Sequence, residues 1–457
     1  MDRRFQLRLT EMLKDAEVKP GVFDDVMARL EEFVQPFIVS LNEPEQKAYA
    51  QQYVSGLMSN LDRKNVESIA YFHDQDRQGM QKFIGQAPWE HDPLLMELCR
   101  QVGVDLGEEN GVLVFDPSGH VKKGKESVGV QRQWCGRLGK VDNCQVGVYM
   151  GYVTSTEQAI VDVRLYLSEE WATDKERRKK AGVPKEIRFQ TRHELSLQML
   201  DKHGALLPHE WVAGDDEMGR STRFRSALQG RNERYLLAVP SNTLVQEVGA
   251  TPPTYSGRGP RPKVPFQRAD SWCAAQPESA WTTLEIRPGE KGPLAIQMLK
   301  VWVRAKTERR RTGPEETLVA IREPQEDGTI KHDYYLSNAA VETSLEEFGR
   351  VAKAAHRIEQ CFQRAKSEAG LSHYEVRTWK GWHRHQTLSL MATWFLTKEA
   401  RRGKKMDTSN NRPADSLGHS HALESSPWLR FTKLHPTYQH APIAASRDRT
   451  SLSLEKA

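Results

Sequence analysis

Cysteine is scarce in this chain: five among 457 residues, at positions 99, 135, 144, 273 and 361, odd in number and never in a Cys-x-x-Cys pair. That distribution excludes a disulfide framework and a structural zinc site of the usual spacing. A long apolar run is also missing. No stretch of about 18 uncharged apolar residues occurs, and the opening segment MDRRFQLRLTEMLKD has no apolar centre of the kind a signal peptide needs. The expectation is a cytoplasmic protein with no membrane partner. Charge of one sign is lacking too: Lys+Arg number 66 against Asp+Glu 61, a net of +5. Attraction to a polyanion must therefore come from local patches. No internal repeat of fixed period is found.

What is present divides the chain by texture. Residues 1–105 carry apolar side chains at helical spacing, as in Val26, Leu30, Phe33, Val34, Phe37 and Ile38, then Tyr53, Leu57 and Leu61, which predicts a helical amino-terminal region. From 106 to 248 the pattern turns to strands (GVLVFDPSG, CQVGVYMGYVTS, IVDVRLYLSEEW, later WVAG and RYLLAV), with a helix at RHELSLQMLDKH. The order is strand, strand, strand, helix, strand, helix, strand, a mixed α/β arrangement. Residues 249–340 begin with an exposed Pro/Gly loop (TPPTYSGRGPRPKVPFQRAD) and continue with β texture. Residues 341–400 return to helix, and 401–457, rich in Ser, Asn, His and Pro, are expected to be mostly disordered.

Three carboxylates stand out. Asp116 closes the apolar run VLVF, which places it at the carboxyl end of a strand, where α/β sheets keep their sites; a turn-forming Asp ahead of Pro-Ser-Gly is the alternative. Asp215 repeats the arrangement after WVAG, with Asp216 and Glu217 beside it, and a solvated acidic loop is the competing explanation. Two carboxylates at two strand ends suit a shared Mg²⁺, a hard cation that prefers oxygen. Glu359, Gln363 and Lys366 share one helix face by i, i+4, i+7 spacing, as a metal ligand backed by a phosphate-binding lysine would, or as a plain surface pair.

Taken together, FDPSGHVKKGKESVGVQRQWCGRLGKVDNCQVGV, AGDDEMGRSTRFRSAL, YLLAVPSNT and IEQCFQRAKSEAGLSHYEVRTWKGWHRHQTLSLMATWFL resemble the DDE transposases of bacterial insertion sequences, in the same order over about residues 20 to 400. The resemblance implies a ribonuclease H-like mixed sheet flanked by helices, with a helical amino-terminal DNA-binding domain and a β-rich insertion. It implies Asp116, Asp215 and Glu359 as the catalytic acids holding two divalent ions, Mg²⁺ or Mn²⁺ in substitution. Asp215 is preferred to Asp216 because the family's acid stands four residues before the position of Gly219. The chain departs from the family in having Pro117 and Ser118 where Asp and Thr are usual, and Ala355 where an Arg is expected. Lys366 matches the family's lysine, while an Arg role passes only to the neighbouring Arg357. Trp281 is a candidate to stack on a flipped DNA base, or else packs in the insertion's own core.

The implied activity is cutting of an element's ends and joining to target DNA by in-line phosphoryl transfer, on double-stranded DNA, with a homodimer in the paired-end complex and a location at the bacterial nucleoid. The alternatives are a ribonuclease H-like DNA nuclease without strand transfer and a domesticated, catalytically silent DNA-binding protein. Backbone contacts are expected from Lys122, Lys123 and Lys125, from 177–180, from 309–311 and from 401–405; any of these basic clusters is equally a solvated surface run. Arg377, in the HYEVRTWKGW block, is a further DNA candidate.

Overall fold

A computed structural model describes residues 24–287, 294–325 and 327–408. The apolar stripe Val26, Leu30, Phe33, Val34, Phe37 and Ile38 is the buried face of helix α1 (Val26–Ile38). It is followed by α2 (Pro44–Leu57), α3 (Val66–Phe72), α4 (Arg77–Gly85) and α5 (Asp92–Leu106). Asn65 and Asp76 cap α3 and α4 by accepting from the Ser68 and Gly79 amides, which satisfies donors that a helix start leaves open.

These helices pack on the last one, α13 (Trp379–Thr408). Residues 381–397 of α13 are buried without interruption, so this helix has no solvent face there and must pair its polar groups internally. It does so: His385 bonds Tyr53 Oη at 2.9 Å, Gln386 accepts from Tyr149 Oη at 2.8 Å, and Arg384 donates to the Ile84 carbonyl at 3.1 Å. Phe33 meets Phe395 with ring centroids 5.2 Å apart.

The sheet begins with β1 (Val112–Val121), β2 (Gln131–Cys135), β3 (Lys140–Val153) and β4 (Gln158–Leu165). Next come α6 (Glu169–Thr173), α7 (Lys175–Ala181) and α8 (Arg192–His203), then β5 (Trp211–Gly214), α9 (Asp216–Arg220), α10 (Thr222–Gln229) and β6 (Arg234–Val239). β3 lies antiparallel between β1 and β4, while β1, β5 and β6 run parallel side by side. The resulting order β4-β3-β1-β5-β6, three antiparallel strands followed by two parallel ones, is the ribonuclease H-like arrangement.

The β-rich stretch adds β7 (Leu244–Glu247), β8 (Gln267–Arg268), α11 (Ala269–Ala274), β9 (Thr282–Arg287), β10 (Leu294–Lys306), β11 (Thr312–Pro324) and β12 (Ile330–Ser337). β12 pairs antiparallel with β6, so these strands extend the same sheet in the order β6-β12-β11-β10-β7-β8. A second hydrophobic cluster, including Trp272, Trp281, Leu299, Val303 and Leu336, lies under them. The long helix α12 (Leu345–Ser367) then crosses back over the first half of the sheet. It comes so close to β3 that a side chain at Gly151 would meet Ile358 Cδ1 at 2.3 Å and force the isoleucine to move.

Two sequence expectations need correction. Asp116 does not end its strand: β1 runs on through Pro117 and Ser118 to Val121, paired with β3 throughout. The proline is tolerated because β5 stops at Gly214, opposite Phe115. From Asp116 on, one edge of β1 has no ladder to break. The tail also starts later than expected, since α13 continues through 401–408; the remainder of that expectation, 409–457, lies outside the described residues.

Candidate active site

Phe115 on β1 sits in register with Gly214 on β5, so Asp116 and Asp215 follow on neighbouring strands about 4.8 Å apart. Asp215 caps α9, its carboxylate accepting from the Met218 amide at 3.1 Å. The next acid, Asp216, turns to Arg220 at 3.0 Å on the solvent side, and Glu217 pairs with Arg192 at 2.6 Å. The turn is pressed against β6: a Cβ on Gly219 would lie 1.9 Å from the Ala238 carbonyl oxygen.

Helix α12 brings the other partners. Phe362 stands edge-on to Tyr149, the residue paired with Asp116 across the strands, with centroids 5.0 Å apart. One turn further, Lys366 Nζ donates to Ser118 Oγ at 2.9 Å. Ser118, where the family usually has another residue, thus anchors the lysine two positions from Asp116.

Electrostatics shows that these groups share one field. Burial, then the Asp215 carboxylate, pushes the Asp116 carboxyl up to about 7; Lys366 opposes, and Glu359 and Glu217 add to the rise. Asp215 keeps solvent access, yet the protein mass around it raises its carboxyl to about 6, with the Met218 amide opposing and Glu217 and Asp216 adding. Glu359 behaves differently. It is exposed, lies 3.7 Å from His356 one turn earlier, and is held below the usual glutamate range by that histidine. Among the described residues no three His, Cys, Asp or Glu side chains converge closely enough for one ion, Glu359 being turned to His356.

The other predicted residues fall into two groups. Lys123 and Arg377 are exposed. Lys122, Arg357 and Trp281 are engaged within the protein, Trp281 by the core packing that is the alternative to base stacking. Lys122 donates to the Tyr374 carbonyl at 2.7 Å and covers that ring at 3.3 Å; burial brings its ammonium down to about 8. Arg357 binds the Thr154 carbonyl and, at 3.0 Å, Gln158 Oε1 in the β3–β4 turn. Trp281 is buried in the second core beneath the Arg322 guanidinium, 3.7 Å from its ring centre. Among the basic runs, Arg178 likewise bonds the Ala172, Pro184 and Ile187 carbonyls.

Sequence reading missed Arg225 and Glu316. Arg225 on α10 donates to the Gly219 carbonyl of the Asp215 turn and to both carboxylate oxygens of Glu316 on β11, at 2.7 and 3.2 Å. Tyr235 Oη donates to the same carboxylate at 2.6 Å. No local spacing announces this, because the pair is 91 residues apart.

Comparison with known proteins agrees with the geometry. Residues 36–293 match the family model of DDE superfamily endonucleases. The chain belongs to the DDE superfamily endonucleases. It is also 30% identical over 199 residues to a protein of Microchaete diplosiphon described as the probable transposase for insertion sequence element IS701. That match covers 42% of this chain and 48% of the relative, so it spans about half the relative's length. Enzymes of the DDE superfamily depend on divalent metal, and the donor set here fits one: two carboxylates follow paired positions of neighbouring strands, and each is held above the usual carboxylate range by its surroundings and by nearby acids, a situation a cation relieves. Among the described residues no helix is long and apolar enough to cross a membrane.

Proposed function

We propose that this chain is the transposase of a bacterial insertion sequence, cutting DNA at the element's ends and joining those ends to target DNA by in-line displacement at phosphorus. The observation that carries the reading is that Asp116 and Asp215 follow the paired positions Phe115 and Gly214, with Asp116 in the field of Lys366 and Glu359 on α12. Asp116 and Asp215 would hold divalent ions, Mg²⁺ or Mn²⁺, with Glu359 completing the donor set from α12. When bound, such ions offset the charge that builds on the attacking and leaving oxygens. Lys366, fixed by Ser118, sets an ammonium beside the same site and orients a phosphate there. Lys123 and Arg377, exposed on nearby segments, hold the backbone of the duplex.

The organisation that goes with this is a helical amino-terminal region (1–105) contacting the element's ends, a catalytic domain in two parts (106–248 and 341–400) around the β-rich insertion (249–340), and a polar tail (401–457). The protein would act at the nucleoid, as a homodimer when two ends are paired. The test is cleavage of a labelled duplex carrying the element's end in Mg²⁺ or Mn²⁺, with Asp116→Ala, Asp215→Ala and Glu359→Ala alongside the unaltered protein. Cutting and joining that vanish in all three variants support the reading. Cutting without joining would leave a nuclease, and binding without cutting a silent binder.

A further inference from the structure

Between β7 and β8 the chain runs from 248 to 266 with no helix or strand. Structureless loops in compact domains rarely exceed about 12–15 residues unless they serve a purpose. This one is rooted and then projects. Val248 donates to the Trp302 carbonyl at 2.9 Å at one end, Gln246 Nε2 donates to the Val264 carbonyl near the other, and Val245 pairs with Gln267 across the base. Between these anchors residues 251–261 are all exposed, and nothing lies within 4 Å of where a side chain on Gly257 or Gly259 would stand.

Its composition is one-sided. Residues 248–269 contain Arg258, Arg261, Lys263 and Arg268 and no Asp or Glu. Arg268 is paired with Asp270; Arg258, Arg261 and Lys263 make no hydrogen bond or ion pair with any described residue. The backbone is stiffened by Pro252, Pro253, Pro260, Pro262 and Pro265. Arg261 and Val264 each precede a proline, which favours extended conformations. Arg258 sits between Gly257 (φ +84°) and Gly259 (φ +79°), and Tyr255 Oη closes the tip on the Gly259 carbonyl at 3.0 Å.

A narrow extended backbone carrying unpaired arginines has a natural counterpart. The minor groove of A·T-rich DNA is only about 6 Å wide, and its enhanced negative potential attracts inserted arginines. Prolines reduce the ordering entropy of such an arm before it binds. We infer that residues 251–265 form a DNA minor-groove arm, with Arg258 and Arg261 entering an A·T-rich groove and Lys263 on the adjacent phosphate. This rests on the reading of the chain as a DNA-acting enzyme. Five strand spacings separate β5 from β7, on the order of 24 Å at 4.8 Å each, so the arm is rooted about seven base-pair steps from the strand that leads into Asp215, at 3.4 Å per step.

The test uses the full chain and fluorescence anisotropy with labelled A·T-rich and G·C-rich duplexes over a salt series. Arg258→Ala/Arg261→Ala should lose about tenfold or more on the A·T duplex and much less on the G·C duplex, with a salt slope smaller by about 2 and an unchanged thermal midpoint. Arg258→Lys/Arg261→Lys should recover the slope without the A·T preference. Distamycin, which fills the A·T minor groove, should displace the unaltered protein's preference and leave the alanine variant unaffected. Equal losses on both duplexes, no loss on either, or indifference to distamycin overturns the arm while leaving the transposase reading intact. Failure of the unaltered protein to bind any duplex overturns both.

Discussion

Arg225 and Glu316 form an ion pair that water does not reach: each is 2% exposed, and Nε lies 2.7 Å from Oε1. Arg225 also holds the Gly219 carbonyl, in the turn that carries Asp215. A strand of the β-rich stretch thus braces the turn on which the second acid sits.

Removing one partner should be far worse than removing both. Arg225→Met or Glu316→Leu alone strands a buried charge and should cost about 3–5 kcal/mol, while the double substitution should recover much of that. Denaturant unfolding measures the stability difference. Cleavage should fall further in Arg225→Met than its stability explains, because the Gly219 carbonyl loses its donor.

Trp281 offers a contrast between two roles. Packed in the second core under Arg322, its replacement by Ala should destabilise by about 3–5 kcal/mol, as for other large buried aromatics. A tryptophan that served DNA alone would give normal unfolding and weakened binding. Thermal melts beside binding isotherms separate the two.

How far the sequence carried follows from which forces are local. The stripe from Val26 to Ile38 was legible because helical burial repeats within one turn. So was the succession of β1, β3, β4, β5 and β6 along the chain, since each strand announces itself by its own apolar run; their order in the sheet came only with the resemblance. Pro117 misled, because its tolerance depends on where β5 stops, a fact set by a segment about a hundred residues away. The carbonyl contacts of Lys122 and Arg357 were illegible for a related reason: a cation looks the same in sequence whether it meets a phosphate or a backbone carbonyl. The carboxylates Asp116 and Asp215 could be named from strand ends and resemblance, but the push of Asp215 on Asp116 needed the register of Phe115 with Gly214.

That push predicts a metal response. Without metal at neutral pH, ionising Asp116 and Asp215 side by side is costly, so Asp116→Asn should raise the thermal midpoint of the metal-free protein. Mn²⁺ should stabilise the unaltered protein, by about 2.7 kcal/mol at a hundredfold excess over Kd, and should do little for Asp116→Asn. Differential scanning calorimetry with and without Mn²⁺ checks both halves; a variant that gains as much from Mn²⁺ as the unaltered protein would remove Asp116 from the metal site.

The buried histidines set the response to acid. Burial brings His385 down to about 3 and His91 to about 4, and puts His383 well below its ordinary value. His385 shows why the neutral form is built in: Nε2 donates to the Gly370 carbonyl at 3.1 Å, which leaves Nδ1 to accept from Tyr53 Oη at 2.9 Å. Lys122 and His373 on neighbouring elements further oppose a proton there. Below about pH 6.5 the unfolded chain binds protons at these positions and the folded chain does not, so the stability these histidines contribute is intact above that pH and falls as pH drops. Each such histidine contributes about 1.4 kcal/mol per pH unit until its folded value is reached, so three together give about 4 kcal/mol per unit between about pH 6 and 4. Asp116 and Asp215, whose raised carboxyls take up protons on folding over the same range, cancel at most about 2.7 kcal/mol per unit of this in the metal-free protein, solvent screening reducing the share of exposed Asp215. His385→Gln should remove about 1.4 kcal/mol per pH unit from the slope, at some cost in stability at pH 8 from the altered packing. Urea unfolding at half-unit pH steps measures it, and an unchanged slope in the variant would mean that His385 takes up its proton in the folded protein as readily as in the unfolded one.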